Sequence, residues 1–349
     1  MAMLETTTPP RRKPKPPMSR LMRLSLKAVD WVTDATRRAD GTLNRRALSL
    51  LDPRVPTFSS PCRGVSSRDV VLDRATRLRA RLFHPTAGRA KGAGAGAGPL
   101  PVIVFFHGGG FAFLSAASAA YDAACRRIAR YASAAVLSVD YRRAPEHRCP
   151  APYDDGIAAL RFLDDPKNHI ADVPLDASRC FVAGDSAGGN IAHHVARRYA
   201  ADAPTFKTVR LNGLVAIQPF FGGEERTDSE LRLHGAPIVT ISRTDWMWRA
   251  FLPPGADRTH EAANFAAPAA AAGVDSPAFP PVLLAIGGYD PLQDWQRRYA
   301  EMLLSKGKDV RVLEYPNAIH AFYVFPEFDD GRDLMIRIAG FVAESAGGE

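Results

Sequence analysis

The stretch Cys180-Phe181-Val182-Ala183-Gly184-Asp185-Ser186-Ala187-Gly188-Gly189-Asn190 decides the fold. Apolar and small residues in strand order run into Gly-x-Ser-x-Gly, and Asn190-Ile191-Ala192-His193-His194-Val195-Ala196 continues in helical order. A strand that turns this sharply into a helix needs Gly184 and Gly188 where a Cβ would clash. The turn lifts Ser186 into an exposed, strained position over the sheet edge, which makes the stretch a nucleophile elbow. Gly-x-Ser-x-Gly recurs by chance and can be a small-residue turn that only packs a helix on a strand; the flanking strand and helix order separate the two readings.

Outward from the elbow the chain alternates. Strands are expected at 102–106, 135–140, 179–183, 211–217, 282–286 and 310–315, with helices at about 121–131, 153–163, 189–200, 292–305 and 332–342. This is an α/β pattern that builds a mostly parallel central sheet with helices on both faces. Residues 70–72 and 80–83 read as an antiparallel pair that opens the sheet. Two segments are left over. Leu21, Leu24, Ala28, Val32 and Ala35 fall at helical spacing behind Ser19, a candidate N-cap. Residues 219–275 interrupt the alternation and carry Trp246, Trp248 and Phe251 at helical spacing. Both segments, at about 20–40 and 219–275, are expected to form a helical cap over the carboxyl edge of the sheet, where an α/β sheet binds ligand.

At 349 residues and 46% hydrophobic the chain can bury one large core. The division expected is a disordered basic tail at 1–19 followed by one domain at 20–349. No apolar run reaches membrane-spanning length, and the basic, proline-rich start lacks an apolar signal core, so a soluble cytoplasmic protein is expected. Part of the net charge of +8 sits in Arg11-Arg12-Lys13-Pro14-Lys15-Pro16-Pro17. Prolines that dense prevent packing, so the run reads as a solvated arm, with a nuclear-localisation role as its alternative. The other Lys and Arg residues are scattered without the basic-aromatic interleaving of a single-strand platform, which argues against nucleic acid as the partner. The Gly-Ala run at 91–99 lacks the Gly-Lys-[Ser/Thr] ending of a phosphate loop and reads as a surface loop. Cys62, Cys125, Cys149 and Cys180 are far apart, without zinc or disulfide spacing. No cofactor and no metal are called for. His193 and His194 face different directions on one helix and have no partner ligand at metal spacing, so they read as packing or surface histidines.

A serine hydroxyl needs a base, and the base needs an orienting acid. Behind an elbow of this kind the order is Ser, acid, His. Asp290, in Gly287-Gly288-Tyr289-Asp290-Pro291, and His320, in Asn317-Ala318-Ile319-His320, each follow an expected strand and fall at the same sheet edge as Ser186. Asp290 also suits the N-cap of the helix that follows it. Asp294 is the rival acid, one turn inside that helix and expected to face solvent. The developing oxyanion of acyl transfer must meet preorganised N–H donors. His107-Gly108-Gly109-Gly110 follows the strand at 102–106, and the N–H groups of Gly108, Gly109 and Ala187 are the expected donors. The charged loop Tyr141-Arg142-Arg143-Ala144-Pro145-Glu146-His147 is expected to be fixed by local hydrogen bonds.

Taken together, His107 to Gly110, Tyr141 to Glu146, Gly184 to Asn190, Asp290-Pro-Leu and His320 resemble the carboxylesterases of hormone-sensitive-lipase type. Within that α/β-hydrolase group the chain is similar to plant carboxylesterases and to their non-catalytic relatives, the gibberellin receptors. The resemblance runs through Arg38 to Arg45, Pro219 to Glu224, Asp245 to Trp248 and Gln293 to Gln296. It implies an α/β-hydrolase fold and a small or medium apolar ester as the small-molecule partner, with no membrane partner. Gly110, Tyr121, Trp246 and Tyr323 would then line the substrate pocket. The alternative is a binding protein for a terpenoid acid. The receptors lack the triad histidine and carry Ser at the place of Gly110, where the hormone's acid group is held; this chain has His320 and Gly110 at those places.

Overall fold

The computed structural model describes residues 18–86, 98–168, 170 and 173–346; the basic arm at 1–17 and the Gly-Ala run at 91–97 lie outside the described residues. Eight strands form one sheet: β1 (Val65–Asp73), β2 (Leu78–Pro85), β3 (Leu100–Phe106), β4 (Ala135–Asp140), β5 (Leu175–Asp185), β6 (Leu211–Ile217), β7 (Val282–Gly287) and β8 (Val310–Tyr315). Their spatial order is β1-β2-β4-β3-β5-β6-β7-β8. β2 is antiparallel to β1 and β4, and the other pairs are parallel. From β3 the chain steps to one side to make β4 and then returns to the other side to make β5. The strand order therefore reverses beside β3, and that reversal opens a crevice at the carboxyl ends of β3 and β5. Phe106 is in register with Gly184 there, which sets the loop after β3 against the elbow after β5.

Both sheet faces are covered. Along β3, Val102, Val104 and Phe106 enter one core and Ile103 and Phe105 the other, as the alternation of a strand demands. Helices α4 (Ala151–Asp164), α5 (Ala187–Asp202) and α8 (Gln293–Ser305) supply the first core; α3 (Ala119–Ala132) and α9 (Asp329–Ala346) supply the second. Cys125 and Cys180 are free and buried in these cores, packed as small apolar groups. No helix among the described residues is long and apolar enough to cross a membrane.

Among the described residues four helices lie outside the alternation: α1 (Arg20–Thr36), α2 (Arg45–Leu51), α6 (Asp228–Arg232) and α7 (Ile241–Phe251). Ser19 caps α1, its side chain accepting the Met22 N–H at 3.1 Å. The buried face of α1 is not the expected stripe. Leu21 and Leu24 are 73% and 63% exposed, whereas Met22 and Leu26 enter the core beside α3. Two apolar stripes run along this helix about a third of a turn apart, and only the docking partner chooses between them. Burying Met22 and Leu26 at about 1.5–3 kcal/mol each pins the first half of α1. The second half is held by charge. Arg243 of α7 donates from Nε and Nη2 to both oxygens of Asp34, at 2.9 and 2.6 Å, and from Nη1 to Asp30 at 2.5 Å. The Ile238 N–H donates to the same Asp30 oxygen at 2.9 Å. Helix α2, a single turn and three residues capped by Asn44, had no signal at the level of spacing.

Candidate active site

The elbow takes the backbone that its sequence requires. Ser186 sits at φ +53°, ψ −120°, between the end of β5 and the start of α5. A Cβ on Gly188 would meet the Phe106 carbonyl oxygen at 1.9 Å, so the helix can approach β3 this closely only with glycine there. The Ser186 N–H donates to Ile217 O at 2.9 Å, and its carbonyl accepts from Asn190 N and Phe220 N at 3.1 and 2.8 Å. Asn190 extends that tie: its Nδ2 donates to Phe220 O and Ala262 O, and its Oδ1 accepts from the Tyr153 hydroxyl at 2.8 Å. The serine is therefore gripped from β6, from α4 and from the 219–275 segment. It does not stand open at the sheet edge; it lies beneath α1 and α7, in the floor of a cavity of about 370 Å³.

His320 lines the same cavity. Its Nδ1 meets Asp290 Oδ2 at 2.8 Å. Asp290 is fully buried, and its Oδ2 also accepts from Gln218 Nε2 at 3.0 Å and Gln296 Nε2 at 2.9 Å. Its Oδ1 accepts the Leu292 N–H at 2.9 Å in the turn ahead of the helix. The helix itself starts at Gln293 with Leu292 at its N-cap, so Asp290 orients the histidine and does not cap the helix as expected. Asp294, the rival, does not point to solvent. It accepts the Ser229 N–H at 2.8 Å and pairs with Arg297. Burial pulls the His320 basicity down, but the charge and hydrogen bond of Asp290, with Asp185 beyond, outweigh it and leave its pKa above the ordinary imidazole value.

One of the expected donors is already engaged. Gly108 N–H is already committed, at 2.9 Å to Asp185 Oδ1 and 2.7 Å to the Tyr121 hydroxyl, and Gly108 does not line the cavity. Gly109 and Gly110 do line it, at φ +104° and +57°. Among the described residues the N–H groups of Gly109, Gly110 and Ala187 have no acceptor. These three, with Gly110 in the place of Gly108, are the available set. His107 stacks on Tyr141 with ring centroids 4.3 Å apart, and burial followed by the Arg143 charge lowers it to about 4, so it stays neutral.

Of the expected pocket residues, Gly110 and Tyr121 line the cavity and Trp246 and Tyr323 do not. Trp246 packs against Phe113 and under Arg37, with its indole N–H toward Arg38 O. Tyr323 is fully buried behind the His320 loop. The walls come instead from α1 (Val29, Val32), α2 (Leu48, Leu51) and α7 (Thr244, Met247). Gln218 had no motif to signal it. It joins the two late loops, donating to Asp290 and Ile319 O and accepting the Ala321 N–H at 2.8 Å.

The loop after β4 is held partly by local bonds, from the His147 N–H to Arg143 O at 2.9 Å and from Arg143 to Asp140 at 3.3 Å, and partly by distant ones. Arg142 donates from N and Nε to Asp155 at 2.7 and 2.8 Å, and Glu146 is clasped by Arg45 at 2.9 and 2.5 Å. His193 and His194 are both buried, never at the surface: His193 Nδ1 meets the Tyr299 hydroxyl at 2.9 Å, and His194 Nδ1 accepts from Arg197 Nε at 2.9 Å. Burial, then Arg197, lowers His193 to about 3; burial, then His193 and the neighbouring arginines, lowers His194 well below its ordinary value. Below the ordinary value of 6.5 the unfolded chain binds protons that these rings refuse. Their contribution is thus complete above that pH and is lost as pH falls from there toward about 3, by about 1.4 kcal/mol per pH unit for each proton excluded. The urea midpoint is expected to drop between about pH 7 and about pH 5, less steeply in His193→Gln. A midpoint with the same slope in wild type and variant would contradict this.

The profile of the α/β-hydrolase fold matches residues 103–324. The chain is 42% identical over 312 residues to a gibberellin receptor of Arabidopsis thaliana, spanning 88% of this chain and 89% of the receptor. Carboxylesterase 20 of the same plant is 33% identical over 288 residues, spanning 80% of this chain and 86% of that protein. Among solved structures, a hyperthermophilic esterase from the archaeon Pyrobaculum calidifontis superimposes with a TM-score of 0.71 at 26% identity, over 95% of this chain and all of that one. An ester hydrolase from the metagenome of Lake Arreo, complexed with a bipyridine phosphonate derivative, does so at 0.72 and 28% identity, over 95% of this chain and 100% of that chain.

Proposed function

The chain belongs to the α/β-hydrolase family of hormone-sensitive-lipase type that includes plant carboxylesterases and gibberellin receptors, and on that premise we propose that it is a carboxylic-ester hydrolase. The observation that carries this reading is a Ser186 and a His320 in one cavity wall with Asp290 bonded behind the imidazole at 2.8 Å. Ser186 Oγ attacks the ester carbonyl carbon while its proton passes to His320 Nε2. The carbonyl π pair moves onto oxygen, where the N–H groups of Gly109, Gly110 and Ala187 meet the negative charge. Collapse of this intermediate expels the alkoxide, which takes the proton from His320. Water then attacks the acyl-serine by the same route and returns the hydroxyl to Ser186. The mainly apolar cavity of about 370 Å³ favours a small or medium apolar ester.

The second reading, a receptor for a terpenoid acid, draws on the 42% identity to a gibberellin receptor. The charges of the cavity weigh against it. Arg243 is the one Lys or Arg among the lining residues, and it is already engaged by Asp30 and Asp34. Asp52 and Asp185 also line the cavity, so a ligand carboxylate meets like charge with no unpaired Lys or Arg among the described lining residues to offset it. A Cβ at Gly110 would meet Met247 Sδ at 2.2 Å, so Ser there requires Met247 to move.

The test is a hydrolysis screen over p-nitrophenyl esters of short and medium acyl length, run beside calorimetric titration with a gibberellin. Turnover of at least one ester, with no heat from the acid, is the expected pair of results. Saturable gibberellin binding by a protein that turns over no ester would replace this reading with the other.

A further inference from the structure

We infer that Asp185, the residue before the nucleophile, is a positioning residue that holds the oxyanion loop in its working shape. The inference rests on the hydrolase reading above. Asp185 Oδ1 accepts the Gly108 N–H at 2.9 Å, and Oδ2 accepts the Tyr121 hydroxyl at 2.9 Å. That hydroxyl oxygen in turn accepts from Gly108 N at 2.7 Å, closing a three-membered ring of hydrogen bonds. The ring ties the elbow to the loop after β3 at the residue directly before the two glycines that line the cavity. Those glycines have positive φ and no side chains, so their N–H directions depend on how Gly108 is anchored. A Cβ at Gly108 would lie 2.6 Å from Asp185 Oδ2 and 2.7 Å from the Tyr121 oxygen, so the loop can sit this close only with glycine there.

The carboxylate also acts on the base. The titratable groups facing it are Tyr121 and Cys125 from α3, Tyr141 after β4, His320 after β8, and Tyr323 beyond it. None of these is a Lys or Arg. Burial raises Asp185 to about 6, against the pull of the Tyr121 hydroxyl, the His320 charge and the Gly108 N–H. Above that value its negative charge supports a protonated His320, as the raised His320 pKa reflects. One side chain thus serves the donors and the base together. Asn does not reproduce it, because with one acceptor oxygen it cannot accept from both the Gly108 N–H and the Tyr121 hydroxyl.

Wild type, Asp185→Asn and Tyr121→Phe are compared on one ester across pH, and each is titrated with a trifluoromethyl ketone, whose adduct with a serine carries an oxyanion. For Asp185→Asn, kcat is expected to fall roughly tenfold to a hundredfold with KM within about threefold, and the ketone affinity to fall in step with kcat/KM. Its acid limb of kcat/KM should move to lower pH, because a charge that favours the imidazolium is gone. Tyr121→Phe keeps the charge and loosens the ring, so kcat and ketone affinity fall by less and the acid limb stays. Wild-type kcat and ketone affinity in Asp185→Asn, or a change confined to KM, would overturn the inference. If Asp185→Asn does not fold, Tyr121→Phe decides alone, and unchanged kcat and ketone affinity there overturn it. A wild type that hydrolyses no ester removes the hydrolase reading itself, a result distinct from any difference between variants.

Discussion

Ser186→Ala is expected to lower ester turnover by at least about a thousandfold, with the fold intact. The hydroxyl is the only group lost. The three backbone bonds that grip the residue, to Ile217 O, Asn190 N and Phe220 N, do not involve the side chain, and Ala187 keeps its free N–H. Any turnover left measures what the N–H donors and the cavity do without a nucleophile. The variant should still bind a non-reactive ester analogue with wild-type affinity, and its melting curve should superimpose on that of the wild type. More than about a thousandth of wild-type kcat in a pure sample would point to a different nucleophile. Ser186→Gly is the companion measurement. At φ +53°, ψ −120° a Cβ is strained by about 1–3 kcal/mol, so the glycine variant should be equally inactive yet melt higher.

The second large effect belongs to His320. His320→Ala should cost about as much as the serine change, since attack then lacks an acceptor for the proton. In the wild type, kcat/KM should fall on the acid side with an apparent pKa above the ordinary imidazole value, because Asp290 and Asp185 together raise His320 despite its burial. The sign follows from the base role: protonation removes the acceptor, so activity is complete above this pKa and is lost as pH falls through it. The same shift favours the protonated ring in the folded protein, a stabilisation present below the unfolded value and lost as pH rises through the folded one. Asp290→Asn should move the limb to lower pH and cut kcat roughly a thousandfold or more, with Gln218 and Gln296 left facing an amide in place of a carboxylate. An activity that stays level through the weakly acidic range would exclude His320 as the base.

What could be read from spacing and what could not divide along a physical line. The strands β3 to β8 and the elbow were legible because buried parallel strands are short apolar runs and the turn admits few residues besides glycine at Gly184 and Gly188. The choice of N–H donors was not, because it depends on the backbone dihedrals of Gly109 and Gly110, and residue type does not specify those when the residue is glycine. Trp246 and Tyr323 match the resemblance by type, yet their side chains turn into the core, away from the cavity. On α1 either of two apolar stripes satisfies the helical period, and the choice between Leu21 with Leu24 and Met22 with Leu26 is made by α3. Gln218, Gln296 and Arg243 act through partners more than thirty residues away or through a carboxylate on another element, and no local pattern marks such pairs.

The bridge made by Gln218 also dates the site. It draws on the end of β6, the loop after β7 and the loop after β8, while the N–H donors wait in the loop after β3 and at the start of α5. Contacts so distant along the chain close late, because each encloses a long loop whose entropy must be lost first. On refolding from denaturant, secondary structure should return well before hydrolysis does, and a chain released before β8 has formed would hold the nucleophile without its base. Regained catalysis is therefore a clock for the last strand to dock.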